Sequence, residues 1–204
     1  MSARALFPTR LYEADLTGER GFNDLLAELE SACLLLAEED RAGRAWCKAH
    51  GYGGYTSYSS LDDLPRRMTV FAELKRRLDR HAAAFGAELG FEGGRPKLDS
   101  LWVNVLKPGA GHSGHIHPRS ALSGTAYVAT PTGAGAIRFE DPRLPAMMAA
   151  PPRRADLPEA ERAFVTVAPQ PGALLLWESW LRHEVVPNAG RERRVSISFN
   201  YAWG

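Results

Sequence analysis

The feature that most constrains the fold of this chain is a change of hydrophobic period near Lys97. Before it, apolar residues recur every three or four positions; after it, short β-branched and apolar runs are separated by Gly, Pro and Asn. A period near 3.6 puts side chains on one helix face, and a period of 2 puts them on one strand face. The chain therefore reads as helices first and strands second.

In the first part, Phe22, Leu25, Leu26, Leu29, Cys33 and Leu36 form one stripe, with Asn23 or Asp24 near the N-cap and Glu28, Glu30, Glu38 and Glu39 off it. A second stripe, Phe71, Leu74, Leu78, Ala82, Phe85 and Leu89, predicts a helix over 65–89 with Pro65 in its first turn. Its outer face carries Arg66, Arg67, Lys75, Arg76 and Arg77, read as a solvated face rather than a binding surface. Residues 6–16 are expected to be extended. Residues 41–60, rich in Gly and Tyr, are expected to form a loop or short hairpin placed to cover a site.

In the second part the candidate strands are 98–106, 113–117, 122–130, 135–140, 163–168, 173–177, 181–186 and 193–202. That many short strands at that spacing predict a sandwich or barrel. Residues 143–161, with Pro145, Pro151, Pro152 and Pro158, interrupt the series as a long loop holding one short helical turn. A chain of 204 residues, 45% of them apolar, buries one core rather than two. The expectation is a single domain, 1–204, in which 1–96 supports a strand core over 97–204.

Charge and cysteine content narrow the partners. The 25 Lys and Arg residues balance 24 Asp and Glu, so no nucleic acid or membrane is expected; a small-molecule or peptide substrate fits better. Cys33 and Cys47 are too few for a disulfide framework. No signal peptide opens the sequence, and no apolar run approaches the ~20 residues of a spanning helix. A cytoplasmic protein is expected, with oligomerisation left open.

Three of the six histidines lie at His112, His115 and His117. On a strand over 114–117, residues 115 and 117 face the same side, about 7 Å apart, so that both imidazoles can converge on one metal. Such a pair is as often a polar loop as a ligand set, and a third ligand must come from a distant strand. His183, in Trp180-Leu181-Arg182-His183, is the candidate; His112 reads as a turn residue and weaker substitute. Arg194, Ser196 and Ser198 then share one face of a strand whose other face carries Val195, Ile197 and Phe199. A guanidinium can grip a carboxylate with two N–H groups, and a nearby hydroxyl can share it. Asn104 and Tyr127 fall on inward faces. Trp102, Trp177 and Trp180 are read as filling the barrel or its mouth, with Arg143 and Trp180 as substrate contacts.

These motifs, in this order, resemble the iron(II) and 2-oxoglutarate dependent oxygenases. The resemblance lies closest to bacterial oxygenases with a His-x-His-Pro run, here His115-Ile116-His117-Pro118. Ser123-Gly124-Thr125-Ala126-Tyr127-Val128 and Ser179-Trp180-Leu181-Arg182-His183 follow at the family's positions. The glycine-rich 133–139 and the Pro-x-x-Gly run at 169–172 are also similar. The match spans residues 101–201 and implies a double-stranded β-helix core of the jelly-roll, cupin-like kind, with amphipathic helices packed on it. It implies a dioxygenase that uses Fe(II), 2-oxoglutarate and O2 to hydroxylate a substrate, releasing succinate and CO2. His115, His117 and His183 then fall at the metal positions. Arg194 anchors the far carboxylate of 2-oxoglutarate with Ser196, and Asn104 and Tyr127 assist. Where most of the superfamily has an acid, this chain has His117; Glu140 or Asp141 is the alternative third ligand. Two rival readings are a cupin-like three-histidine metalloenzyme that does not use 2-oxoglutarate and a noncatalytic small-ligand-binding sandwich.

Overall fold

The first apolar stripe folds as helix α1, Phe22–Glu39, and buries Phe22, Leu25, Leu29 and Cys33. Its N-cap is Gly21 in the left-handed region, not Asn23 or Asp24, both of which lie inside the helix. The second stripe is divided rather than continuous: α3, Leu64–Arg67, stops at Met68, whose backbone is extended, and α4, Thr69–Glu88, restarts with Phe71, Leu74, Leu78, Ala82 and Phe85 buried. Pro65 sits in the first turn of α3, where its missing N–H costs nothing. The basic residues of α4 are paired, and apart from the largely buried Arg77 they reach solvent: Lys75 with Asp79, Arg76 with Glu73, and Arg77 and Arg80 with Glu19.

This computed structural model describes residues 4–154 and 156–204; residues 1–3 of the N-terminus and residue 155 of the long loop lie outside that description. Residues 41–60 depart most from the expectation. They contain a helix, α2, Arg41–Ala49, capped by the Asp40 carboxylate, which accepts from the Gly43 N–H at 3.0 Å. Gly43 has a packing role: a Cβ there would lie 2.3 Å from Asp40 Oδ2 and 2.7 Å from Ser60 Oγ. The same carboxylate accepts from Tyr55 and Ser60, so one acid closes the helix start and the turn after it.

The strands are β1, Leu11–Asp15; β2, Gly54–Thr56; β3, Pro96–Leu106; β4, His112–His115; β5, Leu122–Ala129; β6, Ile137–Glu140; β7, Phe164–Val167; β8, Ala173–Glu178; β9, His183–Val185; and β10, Arg194–Trp203. The eight expected after residue 97 all form, though β4 ends at His115, so that His117 lies beyond it. Strands β1 and β2, from the N-terminal part, close the two edges of the larger sheet, whose order is β1-β8-β5-β10-β3-β2. The smaller sheet has the order β4-β9-β6-β7, and every pairing is antiparallel. The long loop holds two short 3-10 turns, Leu144–Ala146 and Glu159–Glu161, rather than one helical turn.

Alternation along the larger sheet separates two interiors. Val103, Val105, Val195, Ile197, Phe199, Ala126, Leu174 and Leu176 pack outward against α1 and α4 in the main core. The opposite face meets the smaller sheet, and Tyr127, Leu175 and Trp177 pack with Ile137, Phe139 and Leu181 in a second, smaller cluster. This is the expected double-stranded β-helix. The space between its sheets carries the polar face of β10, and the histidines gather at its mouth.

Candidate metal centre

Strands β4 and β9 are neighbours in register, with His115 directly opposite His183. Residues facing each other across an antiparallel pair have Cβ atoms about 5 Å apart, and the two rings lie 4.5 Å apart. His117 arrives from the turn after β4, where its N–H donates to Ser179 O at 3.0 Å. Its ring lies parallel to that of His183 at 5.3 Å. One nitrogen from each of the three imidazoles falls within 4.8 Å of the others. The strand geometry over 114–117 therefore does not hold, yet the turn brings His117 to the same place.

Two tautomers follow from hydrogen bonding. His115 Nδ1 lies 2.8 Å from Ser113 O and His183 Nδ1 lies 2.9 Å from Leu181 O. A carbonyl only accepts, so Nδ1 carries the proton in both rings and Nε2 keeps its lone pair, the arrangement typical of metal-ligating histidines. Burial pushes His183 down to about 3, with the neighbouring imidazoles reinforcing the shift. Burial and His115 push His117 down to about 4. Neutral imidazole is the ligating form, so this donor set fits a divalent transition metal. The acidic alternatives are engaged elsewhere: Glu140 pairs with Arg182 at 3.2 Å and Asp141 with Arg143 at 2.8 Å. Trp177 stands edge-on to His183 at 4.7 Å, and Trp102 lies against His117, with Tyr58 packed edge-on to Trp102.

Further along the cleft, Ser196 on β10 is in register with Asn104 on β3 and Tyr127 on β5. Arg194 is 2% exposed, donates from Nε to Gly135 O at 3.0 Å and from Nη1 to Ser196 Oγ at 2.9 Å, and lies over the Tyr127 ring at 5.0 Å. No ion pair among the described residues includes it. Burial lowers its pKa, the mark of a cation without a countercharge. The Tyr127 hydroxyl is buried beside the Arg194 guanidinium, from which it can only accept, so its own proton has no partner. Ser196 accepts from Arg194 and keeps its own proton to donate. Free N–H and O–H donors from three residues thus gather with no carboxylate among them, a cradle suited to a carboxylate. Asn104 is arranged differently: one Nδ2 proton goes to Ser198 at 3.0 Å, the second remains to donate, and Oδ1 is buried without a partner.

Arg143 is held by its own neighbour, with Nε and Nη2 both on the Asp141 carboxylate. Trp180 is 45% exposed on the turn between β8 and β9. His112 is not a solvated turn residue: its Nε2 lies 2.5 Å from Tyr52 Oη, and burial pushes its pKa to about 4. Nothing in the sequence pairs residues 52 and 112; only the β2–β3 pairing brings them together.

Three imidazoles able to meet on one ion, beside a buried guanidinium on the same jelly roll, are the parts that a metal-dependent enzyme with an anionic cosubstrate would use. The profile of the family described as "Putative 2OG-Fe(II) oxygenase" matches residues 100–200, and the chain belongs to the iron(II) and 2-oxoglutarate dependent oxygenases. No curated protein sequence matches it. Among solved structures, a Pseudomonas putida prolyl-4-hydroxylase aligns at 18% identity and TM-score 0.61, over 94% of this chain and 92% of its own. A Trichoplax adhaerens prolyl hydroxylase, solved with a hypoxia inducible factor peptide, aligns at 15% identity and TM-score 0.62, over 94% and 83%. The alpha-ketoglutarate dependent epimerase SnoN of nogalamycin biosynthesis aligns at 14% and 0.65, over 95% and 78%. Likeness at these identities establishes the fold. No helix among the described residues is long and apolar enough to cross a membrane.

Proposed function

We propose that His115, His117 and His183 hold Fe(II), and that Arg194, Ser196 and the Tyr127 hydroxyl hold the far carboxylate of 2-oxoglutarate. The observation that carries this reading is the pairing of a three-histidine cluster with a buried, uncompensated guanidinium in one cleft. When bound, the metal and 2-oxoglutarate supply an oxidant made from O2, with succinate and CO2 as co-products, and hydroxylation of the substrate is the outcome. Three imidazoles carry no charge, so the iron keeps its full formal +2 where an acid would lower it, which favours the dianionic cosubstrate. The Ser113 and Leu181 carbonyls fix the ring orientations, and Trp177, Phe139 and Trp102 exclude water from the histidines. Asn104 orders Ser198 with one amide proton and keeps the other to assist the cosubstrate.

The substrate approaches over Trp180, which is exposed beside the ligands; the Asp141 pair occupies Arg143. A small molecule or a peptide fits this mouth, and the chain acts as one domain in the cytoplasm. The test is a screen of candidate substrates for stimulated, O2-dependent succinate formation by the iron-loaded protein. Stimulation by one class and its loss in His183→Ala support the reading. Succinate formation that survives in His183→Ala contradicts it.

A further inference from the structure

The site described above leaves two serines of the sequence motifs without a role, Ser123 and Ser179. Both are buried, at 1% and 0% exposure, and their hydroxyls lie 2.7 Å apart where the end of β8 meets the start of β5 inside the larger sheet. Ser123 Oγ also donates to Asn200 Oδ1 at 2.8 Å, and Asn200 Nδ2 donates to Ser100 Oγ at 3.3 Å. The proton count fixes the direction of this chain. An amide oxygen only accepts, so the single proton of Ser123 goes to Asn200, and the Ser179 hydroxyl must donate to Ser123. The result is an ordered relay, Ser179 to Ser123 to Asn200, in which each bond polarises the next in a dry interior.

Ser179 is also where the ligand-bearing segments meet. Its N–H donates to Ala121 O at 3.0 Å, and its carbonyl accepts the His117 N–H at 3.0 Å. The turn it opens is closed by the Leu181 N–H on Glu178 O, and Leu181 O accepts His183 Nδ1. One residue thus fixes His117 through its carbonyl and His183 through the turn it begins, while its side chain ties both to β5 and β10.

We propose that Ser179, held by Ser123 and Asn200, is a positioning residue that sets the separation of His117 and His183 and so the affinity and geometry of the metal centre. The proposal rests on the reading of His117 and His183 as ligands. Without the relay, the 179–182 turn keeps its main-chain bonds, the packing of Leu181 and the Arg182–Glu140 pair, but loses the side-chain hydrogen bond that ties its first residue to β5 and β10, and the two imidazoles lose that fixed reference. Partners of this kind are worth about 10–100-fold in metal affinity.

Cobalt(II) titration of the metal-free protein, followed by its visible absorption and read well below the unfolding midpoint, tests this. Ser179→Ala and Ser123→Ala should each bind cobalt(II) about tenfold or more weakly, with an altered band. Ser100→Ala, at the weak end of the relay, should change least. A purely structural role would lower the unfolding midpoint and leave cobalt(II) affinity and the band as in the wild type, which would overturn the proposal. His183→Ala separates the two levels of the argument. If it abolishes binding while both serine variants bind normally, the ligand reading stands and the relay fails. If it binds as the wild type does, the ligand reading fails and takes the relay with it. Should Ser179→Ala not fold, Ser123→Ala removes the same bond from the other side and carries the test alone.

Discussion

Replacing Arg194 with Met keeps most of the side-chain length and removes the charge, and the structure gives opposite signs for its two effects. With no ligand bound, the guanidinium is 2% exposed and in no ion pair, so it carries a desolvation cost of roughly several kcal/mol. Its loss relieves that cost but leaves Gly135 O and Ser196 Oγ without their donor, which costs about 1–3 kcal/mol. The two oppose each other, and metal-free Arg194→Met should unfold within roughly 4 °C of the wild type, the shift that about 1 kcal/mol gives a chain of this size. Cosubstrate binding is different, because removing one side of a buried charge pair costs about 2–5 kcal/mol, or ~30-fold to several thousand-fold in affinity. At a 2-oxoglutarate concentration of about 100 times the wild-type Kd, ligand stabilisation is ~2.7 kcal/mol in the wild type and below about 0.9 kcal/mol in the variant. Thermal unfolding of the metal-free protein reads the first number, and thermal unfolding with zinc(II), with and without 2-oxoglutarate, reads the second. A variant stabilised by 2-oxoglutarate as much as the wild type, or one that loses zinc(II) and 2-oxoglutarate equally, would refute the assignment.

Three other perturbations have definite signs. Tyr127→Phe removes a buried hydroxyl whose own proton has no partner, so the ligand-free protein should hold its stability while 2-oxoglutarate affinity falls about tenfold; unfolding and binding titrations check the two halves. His112, His117 and His183 all have pKa values below that of a free imidazole near 6.5, so the unfolded chain takes up protons that the folded one refuses. The metal-free protein should therefore lose stability as pH falls from 6.5 towards about 4, where His112 and His117 titrate, and urea midpoints across that window should fall rather than stay level. Gly124→Ala puts a Cβ 2.5 Å from the Phe199 ring and 2.6 Å from Leu175 O, and overpacking of that kind costs about 1–3 kcal/mol, read as a lower unfolding midpoint.

What was legible in the sequence follows from what is local. Period identified the stripes of α1 and α4 and the eight strands after residue 97, because each depends on side chains a few positions apart. The inward polar face of Arg194 and Ser196 was legible for the same reason. The helix α2 was missed because Gly43 reads as a helix breaker, whereas it is required by close packing against Asp40 and against Ser60, seventeen residues away, with Tyr55 of β2 bonded to the same Asp40. The strand expected to carry both His115 and His117 ends at His115, since Ser179 O, not a β4 partner, captures the His117 N–H. The Asn104–Ser198 bond and the Tyr52–His112 pair were beyond the sequence, because each depends on which neighbouring segment supplies the partner atom.

The central claim is that one cleft holds iron at His115, His117 and His183 and 2-oxoglutarate between that iron and Arg194. Anaerobic addition of iron(II) and then 2-oxoglutarate, followed in the visible region, tests it directly. The account predicts a weak charge-transfer band that saturates with one equivalent of each, is lost in His183→Ala, and in Arg194→Met appears only at much higher 2-oxoglutarate. Iron demonstrably bound with no band at any 2-oxoglutarate concentration would contradict it.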